Sequence, residues 1–160
     1  FIDAVEDATV AAQLDLDLVA NALSDAPTPI VIQRLDLAEQ RVDLLDDPEV
    51  RALMYSRLAR LQTRIGRVVR AKRNFELAIE GARIARVESR DLMFATIAVD
   101  QAYALDLAGA QTTAQRIREQ VLQDKVSEVL LAITETQASS GLTDPAYAMP
   151  EPEEPAAAAR

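Results

Sequence analysis

Cysteine and histidine are both absent from this 160-residue chain. The first absence removes disulfides, thiolate metal sites and cysteine nucleophiles; the second removes the commonest general base and metal ligand. Most familiar hydrolase mechanisms go with them, and neither a catalytic residue, a metal site nor a cofactor is expected. Tryptophan is also missing, aromatics make up 4% and there are only 4 glycines. A β-sandwich wants aromatics and turn glycines, so that architecture is disfavoured. No window approaches the ~20 apolar residues of a membrane-spanning helix, and the start lacks the basic-then-apolar layout of a signal peptide. A soluble chain without membrane insertion is expected. It opens on Phe1 rather than Met, which leaves a leader peptide and a preceding domain equally open. The lack of cysteine slightly favours an exported bacterial protein over a cytoplasmic one.

What is present is aliphatic and charged: 49% hydrophobic and 27% charged residues, with a net charge of -9. At this length one domain with a sizeable core is expected, of the all-α class. The charge is unevenly spread. Residues 1–50 carry net -10, residues 51–90 net +8 and residues 91–160 net -7. A basic segment between acidic flanks either recruits an anionic partner or is attracted to the acidic segments packed beside it, and the internal explanation is favoured. Nucleic acid is not expected, because the whole chain is acidic and only Tyr55 and Phe75 are interleaved with the basic residues.

Start and stop signals predict a run of about seven helices. The first spans about Asp7–Leu23 with a stripe of Val10, Leu14, Leu18 and Ala22, Ala11 beside it. The alternation Leu14-Asp15-Leu16-Asp17-Leu18 also suits a strand, but nothing nearby pairs with one. Ser24-Asp25-Ala26-Pro27 breaks the run. Thr28 before Pro29 and Asp47 before Pro48 are capping pairs, so helices are predicted from Pro29 to about Leu45 and from Pro48 to Ile65. Gly66 closes the third helix. Val68–Val87 follows, then helices from Ser89 to about Leu107, from Ala110 to Leu122 and from Asp124 to Ser140. Asp144-Pro145 opens an eighth start signal that leads nowhere, since Pro150, Pro152 and Pro155 follow among Glu151, Glu153 and Glu154. Residues 1–148 are read as the helical domain and 149–160 as an extended or disordered tail, serving as a linker or as a strand laid on a neighbour.

The chain repeats itself. Tyr55, Leu58, Ala59, Gln62, Gly66, Ala71, Phe75 and Ala78 return 39 residues later as Phe94, Ile97, Ala98, Gln101, Leu105, Ala110, Ala114 and Ile117. A further 36 residues on, the slots read Leu130, Ile133, Thr134, Gln137, Gly141 and Ala146. The unit is a helical hairpin. This pattern resembles the tetratricopeptide repeat over residues 48–148, with a degenerate unit before it that has Ala38 in a small-residue slot. Gln62, Gln101 and Gln137 stand where that repeat has Tyr, and Leu105 replaces the turn glycine. The resemblance implies a right-handed solenoid of antiparallel helix pairs, and a non-enzymatic scaffold or complex subunit that binds a polypeptide in a concave groove.

Arg57, Arg60, Arg64 and Arg67 recur at three- and four-residue spacing and share one helical edge. By the resemblance, Leu53, Ser56, Arg60, Thr63 and Arg64 face the groove, and guanidinium groups suit a protein partner with an acidic segment. The two-carboxylate clamp of some family members is not expected, because Ser56, Arg60, Ala95 and Val99 lack its Lys and Asn. Asp43, Asp46, Asp47 and Glu49 lack a calcium-loop pattern and read as caps. The three glutamines are expected to hydrogen-bond within their hairpins. Asp15 with Asp17, or Asp3, Glu6 and Asp7, could pair as acid and base, but no nucleophile or phosphate loop accompanies them. Self-assembly into a homo-oligomer, acidic ends on basic middles, is the first alternative; a carboxylate enzyme subunit is the second.

Overall fold

The computed structural model describes residues 2–22 and 28–141, with side chains from Thr9 onward. The expected tail, the Asp144-Pro145 start signal, the 23–27 break and the Asp3, Glu6 and Asp7 side chains lie outside the described residues. Among the described residues the fold is all-helical, with seven helices and no strand: α1 (Ile2–Ala22), α2 (Pro29–Asp43), α3 (Pro48–Arg64), α4 (Val68–Ile84), α5 (Val87–Tyr103), α6 (Leu107–Ala114) and α7 (Gln120–Ser139).

Capping chemistry sets the early boundaries. Thr28 Oγ1 accepts the Val31 N–H at 3.3 Å ahead of Pro29. Asp47 Oδ1 accepts the N–H groups of Glu49 and Val50 at 2.8 and 3.3 Å ahead of Pro48. Later boundaries differ from the sequence expectation. Ser89 lies inside α5, its hydroxyl donating to the Arg86 carbonyl. Asp106 caps α6 by accepting from the Gly109 N–H at 3.0 Å, which ends α5 at Tyr103 and starts α6 early. That helix stops at Ala114 because Asp91 Oδ2 holds the N–H groups of Arg118 and Glu119 at 3.0 and 2.9 Å, so α7 begins before Asp124.

Each helix packs on its successor, and the odd-numbered helices also touch in order, α1 on α3, α3 on α5 and α5 on α7. The core between them is rich in alanine. Ala38, Ala59, Ala71, Ala78, Ala98 and Ala110 are fully buried beside Leu35, Leu58, Phe75 and Ile97. Small side chains let helix axes approach, and the larger ones fill the remaining volume. The helices α3 and α4 approach closely at Gly81, where a Cβ would lie 2.5 Å from the Ala52 Cβ.

The buried face of α1 corrects the predicted stripe. Val10, Leu14 and Leu18 are 57%, 56% and 53% exposed, whereas Ala12, Leu16 and Val19 are buried. Leucines sit on both sides of this helix, so periodicity alone does not choose between them. Charge chooses: Asp15, 2% exposed, turns inward to pair with Arg34 at 3.2 Å and with Arg41, both on α2.

The turn slots of the sequence repeat share one backbone conformation. Gly66, Leu105 and Gly141 have φ of 82°, 66° and 67°. For leucine this left-handed region is strained by about 1–2 kcal/mol, while glycine adopts it freely. Leu105→Gly should therefore be more stable than Leu105→Ala by about 1 kcal/mol in chemical denaturation, the reverse of their order inside a helix. Equal or inverted stabilities would contradict the assignment.

Candidate functional site

The basic edge predicted on α3 is divided among three neighbours. Arg57 pairs with Asp17 of α1, Arg60 with Asp100 of α5 at 2.9 Å, and Arg67 with Asp36 of α2. Arg70 adds a second contact to Asp36 at 3.0 Å. The basic segment thus spends much of its charge on the acidic segments packed beside it, the internal explanation of the charge pattern. Three of the four residues of the predicted acidic cluster are likewise engaged: Asp47 caps α3, Asp43 accepts the Tyr55 hydroxyl at 2.5 Å, and Glu49 takes Arg86 through two oxygens. Among the described residues no group of three or more carboxylates is placed to hold a metal ion.

The glutamine slots are occupied by hydrogen bonds. Asn74 donates to Gln62 Oε1 at 2.9 Å, and Thr113 donates to Gln101 Oε1 at 2.6 Å, each partner lying 12 residues further along. Gln62 Nε2 also donates to Glu39. Gln137 departs from this, donating from Nε2 to the Ala102 carbonyl of α5 at 2.8 Å and leaving its buried Oε1 without a partner.

Of the predicted groove residues, Arg60, Thr63 and Arg64 line one cavity of ≈ 870 Å³. It lies where the C-terminal parts of α1, α3, α5 and α7 meet, since Ala20, Tyr103 and Gln137 also line it. Leu61, Leu105, Val129 and Ile133 make its surface largely apolar. The strained Leu105 conformation aims this side chain at the cavity. Ser56 does not line it and is fully buried, and Thr63 Oγ1 is turned back to the Ala59 carbonyl. Leu53 belongs instead to a smaller groove of ≈ 250 Å³ at the start of α3 and α5, with Val50, Leu92 and Met93. Arg57 and Arg67 line neither. Tyr103, Val129 and Thr136 were not anticipated; the four-residue spacings Val129–Ile133 and Ala132–Thr136 were visible, but no local signal relates α7 to α3.

Asp100 does not line the cavity but pairs with Arg60, which does. It is 8% exposed, accepts the Ser56 hydroxyl at 2.8 Å and pairs with Arg60. Burial pushes its carboxyl above the ordinary range, against the pull of Arg60, the Ser56 hydrogen bond and Arg57. Arg60 in turn lies 5.8 Å from the centre of the Tyr103 ring, within cation–π range. The wall of the site therefore includes a guanidinium held by a carboxylate and near an aromatic face, next to aliphatic groups. The surface combines apolar contact area with guanidinium donors. No protein-family model, curated protein or solved structure matches the chain.

The Glu49–Arg86 contact ties the loop before α5 to the start of α3. Hydrogen bonds from the Arg86 side chain and then from its backbone N–H hold the Glu49 carboxyl down at about 2 from an ordinary 4.5. A carboxyl lowered on folding stabilises above its unfolded value and loses that contribution as pH falls through its folded one. Glu49→Gln should accordingly flatten the stability-against-pH curve between pH 4.5 and about 2. An unchanged slope in acid titrations followed by circular dichroism would refute the contact.

Proposed function

We propose that this chain is a non-enzymatic interaction module, a TPR-like solenoid of antiparallel helix pairs that holds a segment of another polypeptide in the cavity between α1, α3, α5 and α7. The observation that carries the reading is the cavity itself, ≈ 870 Å³ with an aliphatic surface and Arg60 and Arg64 in its wall. Support for the repeat comes from the matched slots: left-handed turns at 66, 105 and 141, and equivalent Gln62–Asn74 and Gln101–Thr113 hydrogen bonds. The stacking of odd-numbered helices on one another suits a solenoid, whose units touch only their neighbours. The ligand is an apolar stretch flanked by acidic residues, a match in chemistry to the aliphatic surface and to Arg60 and Arg64. Asp100 takes no chemical role in this reading, because both of its oxygens are engaged by Ser56 and Arg60. No helix among the described residues is long and apolar enough to cross a membrane.

Arg60 is unsuitable for mutation on its own, since its loss strands the buried Asp100 at a cost of about 3–5 kcal/mol. Arg64→Glu combined with Val129→Asp alters the same cavity at exposed positions. Affinity isolation from the native source followed by mass spectrometry should recover a stoichiometric polypeptide partner that the double variant loses while keeping its helical spectrum. Equal recovery by both proteins would place binding elsewhere.

Self-assembly is the second reading, and the outward stripe of Val10, Leu14 and Leu18 on α1 favours it. Light scattering should then report a mass that rises with concentration and that Leu14→Glu returns to a monomer; a constant monomer mass would dismiss it.

A further inference from the structure

The cavity stands beside the end of the described chain. Gln137 and Thr136 line it, and α7 ends at Ser139. Gly141 follows four residues after Gln137, about 6 Å along a helix axis. Nineteen residues follow, 142–160, and their composition matches the cavity: Leu142, Tyr147 and Met149 supply apolar bulk, while Asp144, Glu151, Glu153 and Glu154 supply four carboxylates against one base, Arg160. The cavity wall presents Arg60 and Arg64 over Leu61, Leu105, Val129 and Ile133. Six residues of chain span at most about 20 Å, so Tyr147 is within reach of a site rooted one turn before Gly141.

We infer that residues 142–154 of the same chain dock in this cavity, Tyr147 and Met149 against its aliphatic surface and the glutamates beside Arg60 and Arg64, so that the chain occupies its own binding site until a partner displaces the segment. This regulation rests on the cavity being the partner site proposed above. The physical reasons are proximity and complementarity. A segment tethered at the rim experiences a millimolar effective concentration, so contacts too weak to hold a free peptide suffice to hold it. A partner must then bring either more apolar area or a better-matched acid, which makes occupancy a filter on which polypeptides bind.

Because the chain has no cysteine, a pair introduced into the full-length protein reports docking directly. Ala132, exposed in the cavity lining, and Met149 are the positions. Oxidation of Ala132→Cys/Met149→Cys should give an intramolecular disulfide, identified by mass, and adding Tyr147→Glu or Arg64→Glu should slow its formation about tenfold. A rate indifferent to both added substitutions would mean a segment merely tethered nearby and would overturn the inference. So would absence of the bond, or a disulfide-linked dimer, which would assign the segment to a second copy. Tyr147→Glu alone, without the cysteines, should strengthen capture of the partner about tenfold. If a partner is captured through the cavity while the cysteines fail to pair, the docked segment is wrong and the partner site stands; if they pair but no partner is captured, the reverse holds.

Discussion

Pairing of opposite charges between helices is the interaction on which this molecule depends. The chain concentrates acid in its outer thirds and base in its middle, and folding brings the two together: Asp15 between Arg34 and Arg41, Asp17 on Arg57, Asp36 on Arg67 and Arg70, Asp100 on Arg60. Exposed pairs of this kind contribute little each, about 0–1 kcal/mol. Asp15 and Asp100 differ, because they are buried and a buried charge without its partner is costly. These two select which face of α1 turns inward and how α3 meets α5. The alanine-rich core permits close approach along many relative positions, and the buried carboxylates restrict the choice.

This arrangement gives the cavity its character. Had the α3 arginines stood together on one exposed edge, the surface would attract any polyanion. Division among three acidic neighbours leaves Arg60 and Arg64 next to aliphatic groups in the cavity wall. The cavity lies at the C-terminal parts of four helices, whose ends carry partial negative charge, so an acid is favoured there only where it meets Arg60 or Arg64.

Much of the fold was legible locally, and the reasons are specific. Thr28-Pro29 and Asp47-Pro48 announce α2 and α3 because both the cap and the proline act within one turn. The repeat slots were legible because Gln62 and Gln101 return with their small neighbours, and the turn geometry persists even where Leu105 replaces glycine. The inward face of α1 was not, since Leu14-Asp15-Leu16-Asp17-Leu18 offers leucines on both sides and the decision belongs to arginines on another helix. The length of α6 was hidden likewise: Asp91, far earlier in the chain, ends it. At the candidate site, the spacing of Arg60, Thr63 and Arg64 along α3 puts them on one surface, whereas Leu53, Arg57 and Arg67 went elsewhere, and the α7 contribution required knowledge of packing that spacing does not contain.

The tie between Asp100 and Arg60 joins the core to the cavity wall, so a double-mutant cycle across it tests the account most directly. Arg60→Met, Asp100→Asn and the double variant, compared in chemical denaturation, should show a coupling of about 1 kcal/mol or more, with the double variant less destabilised than the two single changes combined. Additive effects would mean that the guanidinium is not held by Asp100, and that the form of the cavity wall does not arise from this ion pair.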